Sequence, residues 1–184
     1  MNLFDKFTTG HTLPQFLAKY ASDTDRARWA RAIEQTSITD AQKQLLAKFT
    51  RRMNVMVLGG AWCGDCVSQC PIFEKFAEVA PITVRYIDRD EHPDAQEALR
   101  INGGNRVPVI VFFSEDGHEV SRYGELTLAR YRQRIEQLSE GCSTGIVKGT
   151  DPVQLQVVQD WLNEFERVQW MLRLSQRLRQ LHGD

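Results

Sequence analysis

Three of the four cysteines of this chain, Cys63, Cys66 and Cys70, fall within eight residues, while Cys142 stands far downstream. Four cysteines in 184 residues do not make a disulfide-stapled scaffold, so the cluster points to chemistry or to a metal. Cys63-Gly64-Asp65-Cys66 follows Trp62 directly, where an apolar run gives way to a helical pattern. A Cys-x-x-Cys at a helix N-terminus sets the first sulfur over unpaired backbone N–H groups and the positive end of the helix dipole, which favours its thiolate. The second sulfur lies one turn on. That geometry suits dithiol–disulfide exchange: Cys63 attacks a substrate disulfide, a mixed disulfide forms, and Cys66 resolves it. The rival reading is a zinc site in which His92 or Cys142 joins the three clustered cysteines, since zinc takes four ligands. Cys70 shares a helix face with Cys66 and reads either as a small buried hydrophobe or as a third thiol able to form an alternative disulfide. Cys142 sits in a Gly/Ser/Thr loop and reads as a free bystander, and His11, His92, His118 and His182 read as surface residues.

The elements that must position this pair follow from periodicity. Before the cluster the pattern is helical: Ser22 or Thr24 opens a run to about Gln35, and Thr39 with Gln42 has the form of a capping box. Within residues 54–60, Val55 to Leu58 then form a continuous apolar run closed by two glycines, which suits a strand covered on both faces. A helix with a kink at Pro71 is expected over 65–79, a strand over 82–88, a short helix over 94–101 and a strand over 109–113. Asp116-Gly117 makes the turn of a hairpin into 119–123. Thr127 is the expected cap of a helix with Leu128, Tyr131, Ile135 and Leu138 on its inner face. After the loop 141–150, Asp151-Pro152 opens a last helix reaching to about Leu181. At 1.5 Å per residue that is roughly 45 Å, longer than the body of a small α/β domain, so it must break, wrap or project.

With the elements in place the sequence resembles the thioredoxin family. Trp62-Cys63-Gly64-Asp65-Cys66 is similar to the family's Trp-Cys-Gly-Pro-Cys. Pro71 matches its helix-kinking proline, Val107-Pro108 its Ile/Val-cisPro pair facing the cysteines, and Gly124 the glycine after the hairpin. The resemblance covers roughly residues 54–138, about half the chain. It implies that Cys63 is the nucleophile and Cys66 the resolving thiol. It further implies that Pro108 keeps metal from the thiols, that Val107 offers its backbone to substrate, and that Trp62 flanks the site, with Gly64 and Asp65 modulating it and Gly124 admitting a partner's chain. Two departures carry expectations of their own. Asp65 replaces a proline and brings negative charge near Cys63, which predicts a higher Cys63 pKa, with the helix terminus opposing. The family's buried Asp falls on Val57 and its partner Lys near Tyr86, so the resolving step must draw on water, on Asp65 as the base for Cys66, or on another carboxylate.

Composition bounds the rest. Hydrophobic residues at 42% leave enough apolar material for a core, and 23 basic against 24 acidic residues give a net charge of −1, with no basic field to hold nucleic acid or an anionic membrane. No stretch approaches the roughly 18 apolar residues of a membrane span, and the N-terminus lacks a secretory h-region, so a cytoplasmic protein is expected. The expected architecture is a thioredoxin-like three-layer α/β fold on a mixed sheet of about four strands. It divides into an N-terminal helical extension (1–53), a core (54–140), and a loop with a C-terminal helical extension (141–184), in one compact domain. The N-terminal helices are expected beside the C-terminal helix, whose apolar face either packs on the body or forms a homodimer or partner contact. The expected activity is reduction of disulfides in proteins or in small-thiol mixed disulfides. No bound cofactor is implied, and electrons would arrive by thiol exchange, with an NADPH-dependent reductase as candidate donor. The alternative is a partner-binding or redox-sensing module without general reductase turnover.

Overall fold

The computed structural model describes residues 2–138 and 152–184. Four helices come first: α1 (Leu3–Thr9), α2 (Leu13–Tyr20), α3 (Asp23–Gln35) and α4 (Asp40–Leu46). Each is opened by a side-chain cap, and Thr39/Gln42 closes the expected capping box. A second box, Thr12/Gln15, opens α2 and carries the same signature.

The strands are β1 (Met53–Gly59), β2 (Ile82–Asp88), β3 (Val109–Phe113) and β4 (Glu119–Gly124), in the spatial order β2-β1-β3-β4. β1 and β2 are parallel, and the other two pairings are antiparallel. Every residue of β1 is buried, as its unbroken apolar run requires. Alternation along β3 separates the two layers of helices: Phe113 meets Phe4 of α1 at 5.4 Å between ring centroids, while Phe112 meets Phe165 of the C-terminal region at 5.0 Å. Helix α5 (Gly64–Ala77), with Pro71 inside it, leaves the end of β1. Helix α6 (Pro93–Ala98) is shorter than expected, because a bridge between Ile101 and Gly104 and a left-handed Asn102-Gly103 pair turn the chain toward β3.

The C-terminal half differs most from expectation. Helices α7 (Leu128–Leu138), α8 (Val153–Leu174) and α9 (Gln176–His182) form, but α8 takes the sheet face assigned to α7. Trp161 packs edge-on against Phe73 and Tyr123, and Phe165 against Phe73, Phe76 and Phe112. Helix α7 therefore rests on α8 through Ala129, and Leu128, Tyr131, Ile135 and Leu138 face outward, Leu138 being 82% exposed. The Thr127 hydroxyl makes no hydrogen bond. Asp160 of α8 accepts from the Ala129 N–H at 2.8 Å and does the capping instead.

The long terminal helix breaks at Ser175, whose extended backbone ends α8 and caps α9. The turn buries Leu178 and brings Arg177 to Asp116 as an ion pair. The N-terminal helices divide between partners: α1 and α2 pack on the sheet at β2, α3 on α5, and α4 meets α8 through Gln42 and Gln159. Asp151 and Cys142 lie outside the described residues. Among the described residues no helix is long and apolar enough to cross a membrane.

Candidate active site

The end of β1 delivers Gly60, Ala61, Trp62 and Cys63 as a tight turn in which the Cys63 N–H donates to the Gly60 carbonyl at 3.0 Å. One helix from outside the 54–138 stretch, α3, holds that turn. Trp29 of α3, fully buried, donates its indole N–H to the Ala61 carbonyl at 2.7 Å, and Arg28 donates to the Trp62 carbonyl at 3.3 Å. Trp62 is 46% exposed, with the Arg89 guanidinium 4.6 Å over its ring and Asp90 accepting from its indole N–H at 3.3 Å. The residue expected to flank the site is thus fixed in orientation and open to solvent.

Cys63 is the N-cap of α5 and makes no side-chain capping hydrogen bond. Its sulfur lies over the backbone N–H groups of Cys66 and Asp65, which favour the thiolate. Across the site, the Val107 carbonyl accepts from Cys63 Sγ at 3.6 Å, and the Val107–Pro108 peptide is cis. Gly124, with φ +150°, closes the same edge: a Cβ there would lie 2.5 Å from the Pro108 carbonyl oxygen, a contact only glycine avoids. Cys63, Cys66, Val107, Pro108 and Gly124 are therefore brought together from three separate segments.

The thiols are buried and in mutual contact, Cys63 being 7% and Cys66 1% exposed. The hydrogen bond with Cys66 pushes the Cys63 thiol above its ordinary range, and burial adds to it. Burial pushes Cys66 up, and its contact with the buried Cys70 thiol adds to that. The Asp65 carboxylate, expected to raise the Cys63 pKa, is not among the causes of this rise. Both Asp65 carboxylate oxygens accept from Arg134 of α7, at 2.8 and 2.7 Å, and Asp65 acts on the Cys63 sulfur through its backbone N–H, which lowers the pKa. This pairing also engages the carboxylate expected to serve as base for Cys66. A different carboxylate stands behind the thiols. Cys66, Cys70 and Glu74 follow one another at four-residue intervals along α5, and Glu74 Oε1 accepts from the buried Tyr86 hydroxyl at 2.8 Å. Burial raises the Glu74 pKa, and Tyr86 lies within electrostatic reach of Cys70 and Cys66. Among the described residues no group of three or more His, Cys, Asp or Glu side chains is placed to hold a metal ion.

A family profile described as thioredoxin matches residues 10–135. The chain belongs to the thioredoxin family. Among solved structures, a protein of unknown function from Pseudomonas aeruginosa aligns with a TM-score of 0.68 at 20% identity, covering 88% of this chain and 95% of that one. An HIV epitope-scaffold aligns with a TM-score of 0.61 at 17% identity, covering 100% and 99% of the two chains. These two likenesses are of fold, and they run through the helical extensions as well as the thioredoxin-like core. Thioredoxin O2 from Arabidopsis thaliana, in its oxidized state, is 26% identical over 52% of this chain and 84% of its own, with a TM-score of 0.35. A search of the curated proteins finds no match.

Within the family frame, the sequence missed the residues that come from outside the shared motifs: Trp29, Arg134, Gln69 and Trp161. Only Gln69 left a signal. It is a polar side chain amid the apolar positions of α5 and is completely buried.

Proposed function

We propose that this protein is a thiol–disulfide oxidoreductase that reduces disulfides in proteins or in small-thiol mixed disulfides through Cys63 and Cys66. The observation that carries the reading is the contact pair itself: two thiols at the start of α5, the less buried one facing the Val107 carbonyl beside Pro108. Cys63, as thiolate, attacks one sulfur of the substrate disulfide. A Cys63–substrate bond forms and the other substrate sulfur leaves as a thiolate that takes up a proton. Cys66 then loses its proton and attacks the Cys63 sulfur, releasing the second substrate thiol and leaving the Cys63–Cys66 disulfide. Two electrons pass to the substrate, and an external dithiol, supplied by an NADPH-dependent reductase or an equivalent donor, restores the pair. Because the thiol pair is held above its ordinary pKa range, the rate of attack rises with pH above neutrality.

The test is reduction of insulin with dithiothreitol, then with NADPH and thioredoxin reductase, comparing wild type with Cys63→Ser. Turnover by wild type that Cys63→Ser abolishes supports the proposal. Wild-type rates equal to the uncatalysed reaction in both arms overturn it. A partner-binding role draws support from the apolar side chains α7 leaves exposed, and it predicts capture that survives Cys63→Ser.

A further inference from the structure

Helix α8 is bound to the dithiol site through one buried side chain. Gln69 of α5 is fully buried, and its amide makes hydrogen bonds in three directions. Its Nε2 donates to the Glu125 carbonyl at 3.0 Å and to the Asp65 carbonyl at 3.3 Å, while its Oε1 accepts from the Trp161 indole N–H at 3.0 Å. Trp161 is itself fully buried between Phe73 and Tyr123.

The Glu125 carbonyl lies one residue beyond Gly124, and the Gly124 Cα is packed so closely on Pro108 that no Cβ fits between them. Pro108 in turn follows Val107, whose carbonyl faces the Cys63 sulfur. A continuous set of contacts thus runs from α8 through Gln69 and the Gly124–Glu125 backbone to the edge beside the nucleophile. A buried amide bonded in this way fixes its neighbours, because losing any one of them leaves an unpaired polar group in a dry interior.

We propose that Gln69 and Trp161 are positioning residues for the substrate-docking edge, and that the C-terminal extension is a working part of the site. This rests on the oxidoreductase reading above. Trp161 sets the Gln69 amide, Gln69 holds the Glu125 carbonyl, and that carbonyl fixes how closely the Gly124 backbone approaches Pro108. The extended segment of a disulfide-bearing polypeptide that must lie along Val107 and Pro108 meets an edge of one shape. A small disulfide with no chain to lay there gains nothing from it.

Two substitutions separate positioning from folding. Gln69→Met removes all three bonds at nearly constant volume, and Trp161→Phe removes only the α8 anchor. Each is expected to raise KM for insulin about tenfold with kcat within about twofold, the split expected when uniform binding is lost. With 5,5′-dithiobis(2-nitrobenzoate) as substrate the same variants are expected to show no comparable rise in KM. An unchanged KM for insulin in the folded variants overturns the proposal, as does a parallel fall in kcat for both substrates.

A second measurement does not depend on how either variant folds. In Cys66→Ser protein trapped as a mixed disulfide with a cysteine peptide, the Trp161 indole N–H resonance is expected to shift relative to the free protein. A resonance that stays in place overturns the proposal. If wild type does not turn over insulin and Cys66→Ser protein does not form the mixed disulfide, the oxidoreductase reading itself fails. If both occur and the Gln69 and Trp161 variants keep their KM, the positioning role alone is wrong.

Discussion

Trp29 tests whether the N-terminal helices support the site. Its indole N–H donates to the Ala61 carbonyl at 2.7 Å, two residues before Cys63, and both groups are fully buried. Trp29→Phe keeps an aromatic ring but deletes that donor. A buried carbonyl left without its partner costs about 1–3 kcal/mol. The space vacated when an indole becomes a phenyl adds about 1 kcal/mol, giving about 2–4 kcal/mol in all. For 184 residues the unfolding entropy is about 0.4 kcal/mol per kelvin, so the expected fall in Tm is about 5–10 °C. Release of the Ala61 carbonyl also loosens the turn that carries Cys63. Thermal unfolding followed by circular dichroism reads the first effect. The rate of iodoacetamide alkylation of reduced Cys63, in a background with Cys66, Cys70 and Cys142 replaced by serine, reads the second and is expected to rise about threefold, because access and thiolate fraction set thiol reactivity. A Tm within about 2 °C of wild type, or an unchanged alkylation rate, would refute the claim that α3 holds the active-site turn.

Two further outcomes follow from the same geometry. Gly124→Ala places a Cβ 2.5 Å from the Pro108 carbonyl oxygen at a φ of +150°, so it is expected to cost at least about 1–3 kcal/mol and to lower insulin turnover; a urea midpoint equal to wild type at unchanged m would contradict this. Arg177 holds the Asp116 carboxyl well below the usual carboxylate range, chiefly through their hydrogen bond, and so helps dock α9 on the β3–β4 turn. A depressed carboxylate contributes stability that is present above its unfolded pKa, about 3.9, and is lost as pH falls toward the folded value. The urea midpoint of Asp116→Asn is therefore expected to lie below wild type at pH 5–7, with the gap closing below about pH 4; a constant gap from pH 7 to pH 3 would exclude the linkage.

The chemistry and the frame of this protein were legible because they are local. The dithiol, its helix and the strand before it are contiguous residues, and periodicity alone separates the unbroken apolar run of β1 from the amphipathic helices around it. Capping boxes at Thr39 and Thr12 announce helix starts because donor and acceptor lie three residues apart. The companions of the dithiol were legible only through the family resemblance, since Val107, Pro108 and Gly124 reach Cys63 across sheet pairings that spacing does not encode.

Competition between helices for one sheet face had no local signature at all. Helices α7 and α8 both carry apolar stripes, and the larger aromatic surface of Trp161 and Phe165 takes the face, turning Leu128 and Leu138 outward. Charge followed the same logic. Asp65 reads as a negative group beside Cys63 until Arg134, 69 residues away, engages both its oxygens. The sequence by itself determined which atoms could exchange disulfides. Tertiary structure decided their surroundings, because burial, charge pairing and the choice of a packing face depend on which distant segments arrive first-hand at the same few ångströms of surface.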